Sequence, residues 1–127
     1  MNFIRKIVKP RPQEDAELHN ELKKLLKFSP SSINKYKKAF THRSVQMFDK
    51  KGIPINYERL EFLGDSILGS VIAAYLYKKA PKGSEGYLTQ MRSKIVSREH
   101  LNELGKDLNL IRFVKSNIDQ SNVGDNI

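Results

Sequence analysis

Glu58, Glu61 and Asp65 stand at i, i+3 and i+7 in the run Tyr57-Glu-Arg-Leu-Glu-Phe-Leu-Gly-Asp-Ser-Ile-Leu-Gly69. If this run is helical, at about 100° per residue, the three carboxylates share one face within an arc of roughly 60°. Almost everything around them is apolar or small, and acids in such a setting serve a cation or a reaction. Glu61 and Asp65 form a like-charge i, i+4 pair, which is mildly destabilising by itself. Neither has a basic residue three or four positions away to relieve it. Glu58 belongs to the first helical turn, where a carboxylate also favours the helix dipole, with Asn56 as the expected N-cap. The plainer reading is a solvated charge stripe.

The helix that must position these acids runs from Tyr57 to about Lys79. Leu60, Leu63, Ile67, Val71 and Ala74 form one broad stripe, and Leu68, Ile72 and Tyr75 extend it. Ser66, Gly69, Ser70 and Ala73 fill the remaining arc with small side chains that permit close approach by another helix or subunit. A helix apolar nearly all round is expected to be buried and central. Its acids are then buried too, which disfavours the charge-stripe reading.

The other elements also read as helices. Residues 1–13, with Pro10 and Pro12, form an extended basic tail. Leu18, Leu22, Leu25 and Leu26 repeat on a short amphipathic helix from Glu14 to about Lys27. Ser29-Pro-Ser-Ser32 is a turn, and a second helix carries Ile33, Tyr36, Lys37, Ala39 and Phe40. Thr41-His-Arg-Ser44 ends it, and a loop at 49–54 leads to the long helix. Beyond a break at 81–86, a helix from about Tyr87 to Val96 points Leu88, Met91 and Ile95 inward. Ser97 is the expected N-cap of a last helix bearing Leu101, Leu104 and Leu108. After Val114 the pattern weakens. No internal repeat, heptad array, glycine-rich phosphate loop or strand alternation is present, so the expected class is all-α.

Composition narrows the chemistry. At 127 residues one domain with a real core is expected. The absence of cysteine excludes disulfides, thiol catalysis and zinc–thiolate sites. No apolar run approaches the length of a membrane span, and the N-terminus lacks the pattern of a secretory signal. The expectation is a cytoplasmic protein without a membrane partner. The net charge of +9 is uneven: residues 1–50 hold 12 Lys+Arg against 5 Asp+Glu, and residues 51–127 hold 11 against 9. A polyanion is drawn to such a chain, whereas the local acidic cluster repels phosphate unless a metal lies between them. That pairing suits a metal-dependent nuclease, although lysines also serve solubility. His42 reads as structural, and Arg43 could pair a carboxylate from another helix.

Taken together, the motifs resemble those of the ribonuclease III family. Glu58-Arg-Leu-Glu-Phe-Leu-Gly-Asp65-Ser is similar to its signature stretch. Phe40-Thr-His-Arg-Ser44 precedes it, and Glu85-Gly86-Tyr-Leu88 and Lys94-Ile-Val-Ser-Arg-Glu-His-Leu101 follow, all in the family's order. The likeness covers about Leu18 to Ile127. It implies an all-helical endonuclease domain over 14–127 that works as a homodimer. The implied reaction is magnesium-dependent hydrolysis of double-stranded RNA, with manganese as a substitute metal. The products carry 5′-phosphate and 3′-hydroxyl ends, in rRNA or mRNA processing. Glu61 and Asp65 match metal-ligand positions, and Asp65 and Glu58 match catalytic ones. Glu85 matches a supporting acid of the same valley, and Phe62 a dimer-interface position.

One departure stands out. The family completes its centre with a second acidic segment, Asp or Asn followed by Glu-Ala-Leu-Ile-Gly, and this sequence ends at Gly124-Asp-Asn-Ile127 as that segment would begin. Asp125 is not in the right context to replace it, and no double-stranded-RNA-binding domain is present in this sequence. The expectation is a piece of a longer ribonuclease, inactive or nearly so alone, with an exposed apolar patch that favours association, including by helix exchange. The alternatives are a non-catalytic family member that holds structured RNA and a basic helical interaction domain unrelated to RNA.

Overall fold

A computed structural model of the chain describes residues 11–118. Five helices form in order: α1 Gln13–Leu26, α2 Ile33–Ala39, α3 Glu58–Lys79, α4 Glu85–Ile95 and α5 Arg98–Asp107, with short 3₁₀ turns at Arg43–Val45 and Leu110–Phe113. The described residues contain no strand, only isolated bridges pairing Thr41 with Lys115 and Phe48 with Pro54. The all-α expectation holds. The chain divides between Asn34 and Lys35 into two compact units, a division that helical periodicity alone did not reveal. Expectations for the tail up to Pro10 and for Asp125 lie outside the described residues.

In the first unit, α1 follows from its charges and leucines. Glu14 and Asp15 occupy the first turn, and Lys23 and Lys24 the last, each placed favourably on the helix dipole. Lys27 closes the helix in the left-handed conformation, its N–H donating to the Lys23 carbonyl. Leu22 is only 1% exposed.

In the second unit, α4 and α5 each start on a serine cap. The Ser84 and Ser97 hydroxyls accept from the backbone N–H groups of Tyr87 and His100, each at 3.2 Å. Ser97 is therefore the N-cap expected of it, and Ser84 starts α4 at Glu85, two residues before Tyr87. Asn56 Oδ1 accepts from the Glu58 N–H at 3.1 Å, although Tyr57 occupies the cap position itself. Asn56 thus caps from one residue further out than expected. α3 packs mainly on α4, and α5 contacts α4 and the Leu110–Phe113 turn. Gly83 makes the α3–α4 connection possible: a Cβ there would lie 2.9 Å from Tyr87 Cδ1 and 3.2 Å from the Ala80 carbonyl oxygen.

Burial overturns one expectation. α3 is apolar nearly all round but is not a buried central helix. Leu76 is its single buried residue, while Phe62 is 81% exposed and Val71 59%. The physical reason is a shortage of partners. α3 spans 22 residues and α4 only 11, so much of the apolar circumference has no helix against it. By length and composition α3 also passes as a membrane-crossing helix, which corrects the expectation that no apolar stretch reaches that length. Charge sets the limit here. The uncharged stretch Ser66–Tyr77 covers about 18 Å at 1.5 Å per residue, against a hydrocarbon core of about 30 Å.

Candidate active site

The acidic end of α3 is held by the Thr41–Ser44 segment. The Thr41 carbonyl accepts from the Tyr57 N–H at 3.0 Å, one residue before the helix begins. Thr41 itself is 4% exposed, and its hydroxyl donates back to the Lys37 carbonyl at 2.7 Å. On the other side, the His42 N–H donates to the Lys115 carbonyl at 2.9 Å, and the Lys115 N–H to the Phe40 carbonyl at 2.8 Å. Ser44 is the centre of this brace. Its N–H donates to His42 Nδ1 at 3.1 Å, and its hydroxyl accepts from the Asn117 N–H at 3.0 Å and meets Ser116 Oγ at 3.2 Å. His42 therefore has the structural role expected of it. With Nδ1 accepting, a neutral ring carries its proton on Nε2.

Arg43, in the middle of this segment, points a guanidinium at the site. Its Nη1 lies 3.5 Å from Glu58 Oε1, and both side chains are half or more exposed. In that setting the pair orients Glu58 more than it stabilises the fold. The Tyr57 ring stands edge-on to His42 with centroids 5.6 Å apart. Burial pushes the Tyr57 phenol above its ordinary value of 10.0, the carboxylates of Glu61 and Glu58 push the same way, and Arg43 partly offsets them.

Glu58, Glu61, Phe62 and Asp65 line one groove of about 730 Å³. Its opposite wall comes from α5 and its flanks: Val96, Arg98, Leu101, Leu104 and Leu108. The three α3 acids therefore share a face as their spacing requires. They are exposed rather than buried, because the groove is open and α3 lacks covering partners. Leu101, Leu104 and Leu108 repeat the same i, i+3, i+7 spacing, so the leucine stripe of the last helix lines the same groove as the acids. Nothing in the spacing of the α3 acids pointed to that wall.

Glu85 is not brought to this groove. It begins α4, where its Oε1 accepts from the Thr89 hydroxyl at 2.7 Å. The reason is topological. α4 starts just beyond the far end of α3, and Asp65 lies fourteen residues, about 21 Å along the axis, from Lys79. The expectation that Glu85 lines the same valley is thus unmet within this chain. Among the described residues no three His, Cys, Asp or Glu side chains gather closely enough to hold a metal ion. Glu61 and Asp65, one turn apart, remain the pair suited to a hard cation. Magnesium takes one or two carboxylates and keeps several waters.

A helical domain that presents one-turn-spaced carboxylates beside an open groove has the oxygen ligands a hard cation requires, and comparison with known proteins places the chain in a family. Residues 58–126 match the ribonuclease III domain family. The chain belongs to that family. It is 61% identical over 127 residues to ribonuclease 3 of Zunongwangia profunda and 58% identical over 128 residues to that of Flavobacterium psychrophilum, covering 100% of this chain and 52% of each relative. It therefore spans about half the length of the curated relatives it matches. Two structures of the nuclease domain of ribonuclease III from Campylobacter jejuni share the fold. One, described as flexible in a region involved in dimer formation, has a TM-score of 0.68 at 34% identity, covering 82% of this chain and 68% of that one. The other has a TM-score of 0.66 at 30% identity, covering 84% and 74%.

Proposed function

We propose that this chain is the catalytic-domain portion of an endoribonuclease that hydrolyses double-stranded RNA with magnesium. Manganese serves as a substitute metal, and the products carry 5′-phosphate and 3′-hydroxyl ends. The observation that carries the reading is the placement of Glu61 and Asp65 one turn apart on the wall of an open groove, within the family's matched segment. The setting is cytoplasmic processing of rRNA or mRNA, and the assembly is a homodimer. Phe62, 81% exposed on the same helix, is the interface residue.

The roles follow from chemistry. Glu61 and Asp65 hold the cation through hard carboxylate oxygens. Bound there, magnesium supplies charge neutralisation at the phosphate and Lewis-acid activation of water. Asp65 and Glu58 are the catalytic carboxylates, offering negative oxygens to a proton released during hydrolysis. Arg43 orients Glu58, and the leucines of α5 keep one side of the groove apolar. The chain's +9 charge draws the duplex, whose A-form is read by shape and 2′-hydroxyls.

We assign little or no activity to this chain alone, because the acids that line the groove, Glu58, Glu61 and Asp65, all come from one helix. The same observation supports the second reading, a family member that binds structured RNA without cleaving it. Magnesium titration by calorimetry separates the two. The nuclease reading expects binding that Glu61→Gln weakens on the order of tenfold or more, since a direct ligand should cost no less than an outer-sphere partner. Indifference to magnesium favours RNA binding without catalysis. Cleavage of duplex RNA by this chain, abolished in Asp65→Asn, would refute its assignment as inactive.

A further inference from the structure

The segment Met47–Ile55, just before α3, has a built conformation that the site described above does not use. The Ile55 N–H donates to the Met47 carbonyl at 2.8 Å, and the Asp49 N–H to the Ile53 carbonyl at 2.9 Å. The Gly52 N–H closes a turn onto the Asp49 carbonyl at 3.0 Å, with Gly52 at φ +75°, where glycine is favoured. Asp49 Oδ1 accepts from the N–H groups of Lys51 and Ile53 at 2.8 and 2.9 Å. The finger is therefore pinned at its base and its tip.

What it displays is unusual for a short surface loop. Phe48 is 60% exposed, Met47 47% and Ile53 44%. Lys50 and Lys51 stand exposed at the tip. The one acid, Asp49, turns Oδ1 onto the loop's own backbone, and with Lys50 and Lys51 beside it the finger carries a net positive charge. Apolar side chains held out beside exposed cations mark a contact surface, not a buried packing element.

We propose that this finger is a contact element for duplex RNA, with Lys50 and Lys51 on phosphates and Phe48 and Ile53 against the riboses of the shallow minor groove. Three arguments select this partner. The tip charge and the +9 chain complement a polyanion. An A-form duplex presents its wide minor groove, with sugar surface and 2′-hydroxyls, to a protruding loop. The finger also leads directly into the acidic end of α3: Asn56, the next residue, caps the helix at Glu58. Contact at the finger therefore seats a duplex beside the groove. The proposal rests on the RNA reading given above and deepens it by naming a substrate-contact surface.

The test is fluorescence anisotropy of a labelled duplex RNA with this chain across a salt series, magnesium omitted. The double variant Lys50→Ala/Lys51→Ala is expected to bind about tenfold more weakly at moderate salt. Its slope of log affinity against log salt should fall by about two, one for each lost phosphate contact. Phe48→Ala is expected to weaken binding several-fold and leave the slope unchanged. Circular dichroism confirms that each variant retains its helices. Undetectable duplex binding by the unaltered chain, or wild-type affinity and slope in the double variant, overturns the proposal. So does a preference for single strands, which would make Phe48 a base-stacking platform. A change in oligomeric state in Phe48→Ala without change in RNA binding overturns it too, since the finger would then be a protein contact. The magnesium-free readout keeps the outcomes distinct: loss of magnesium binding would sink the nuclease reading and leave this result standing.

Discussion

Leu76→Ala and Leu63→Ala test whether α3 really lacks covering partners. Both remove the same atoms from the same helix. Leu76 is 7% exposed and Leu63 54%. Truncating a buried leucine loses its transfer free energy and leaves a cavity, costing about 2–5 kcal/mol; for Leu76 a value of about 3 kcal/mol is expected. Full burial of a leucine is worth about 1.5–3 kcal/mol. Leu63 has given up less than half its surface and borders solvent, so its truncation should cost about 1 kcal/mol or less, with no cavity. The difference of about 2 kcal/mol is large against a typical domain stability of about 5–15 kcal/mol. With a urea slope of about 2 kcal/mol/M, the two midpoints should differ by about 1 M. Helix content followed in urea provides the assay, at a protein concentration where scattering shows a monomer. Equal midpoints at unchanged slope would refute the reasoning, because Leu63 would then be as covered as periodicity first implied.

Two further outcomes are expected. Tyr57→Phe should remove a pH dependence at the alkaline end. The folded phenol titrates above 10.0, so below pH 10 it is neutral in both states and its contribution is fully present. As pH rises past 10 the unfolded phenol ionises first, and stability falls until the folded phenol ionises as well. The wild-type minus Tyr57→Phe stability difference should decline over that window, and a flat difference would show that the surroundings do not resist ionisation. Phe62→Ala should weaken the proposed self-association measured by light scattering while changing monomer stability by no more than about 0.5 kcal/mol, since the ring is 81% exposed; dimers of unchanged strength would move the interface elsewhere.

Local features of the fold were legible because local chemistry determines them. Ser97 caps α5, and the i, i+3, i+7 spacing put Glu58, Glu61 and Asp65 on one wall. Periodicity cannot count neighbours, however. It showed that α3 is apolar all round but not that α4, half its length, covers so little of it. Nor could it place Glu85, whose distance from Asp65 follows from the direction in which α4 leaves α3. The brace at Ser44 was equally hidden: its partners Ser116 and Asn117 lie 72 and 73 residues away, and a serine carries no sequence signal of a distant bond. The turn at Leu110–Phe113 is four residues long, too short to establish a period. Arg43 was readable as half of an ion pair, but its partner Glu58 emerged only once Thr41 had tied the two segments together.

The electrostatics of the groove predict a coupling between its two proposed ligands, magnesium and duplex RNA. Arg43 lies against Glu58. Glu61 and Asp65 form no ion pair among the described residues, and their like charges sit one turn apart. A phosphate entering the groove therefore meets two adjacent carboxylates, with Arg98 the basic residue on the facing wall. A divalent cation on the pair removes that repulsion, and a bound phosphate in turn adds oxygen and charge that favour the cation. Linkage requires the two effects to be equal: whatever factor magnesium adds to duplex affinity, the duplex adds to magnesium affinity. A coupling of about 1–3 kcal/mol corresponds to a factor of about 5–150. Magnesium titrations with and without a short duplex measure it, with calcium as a non-catalytic comparison cation. Asp65→Asn, which removes one of the two charges, should let the duplex bind more tightly without metal and shrink the coupling. Equal magnesium affinities in the two titrations would mean that the duplex does not enter the groove, and the pair would then lose its claim to be the reactive end of the site.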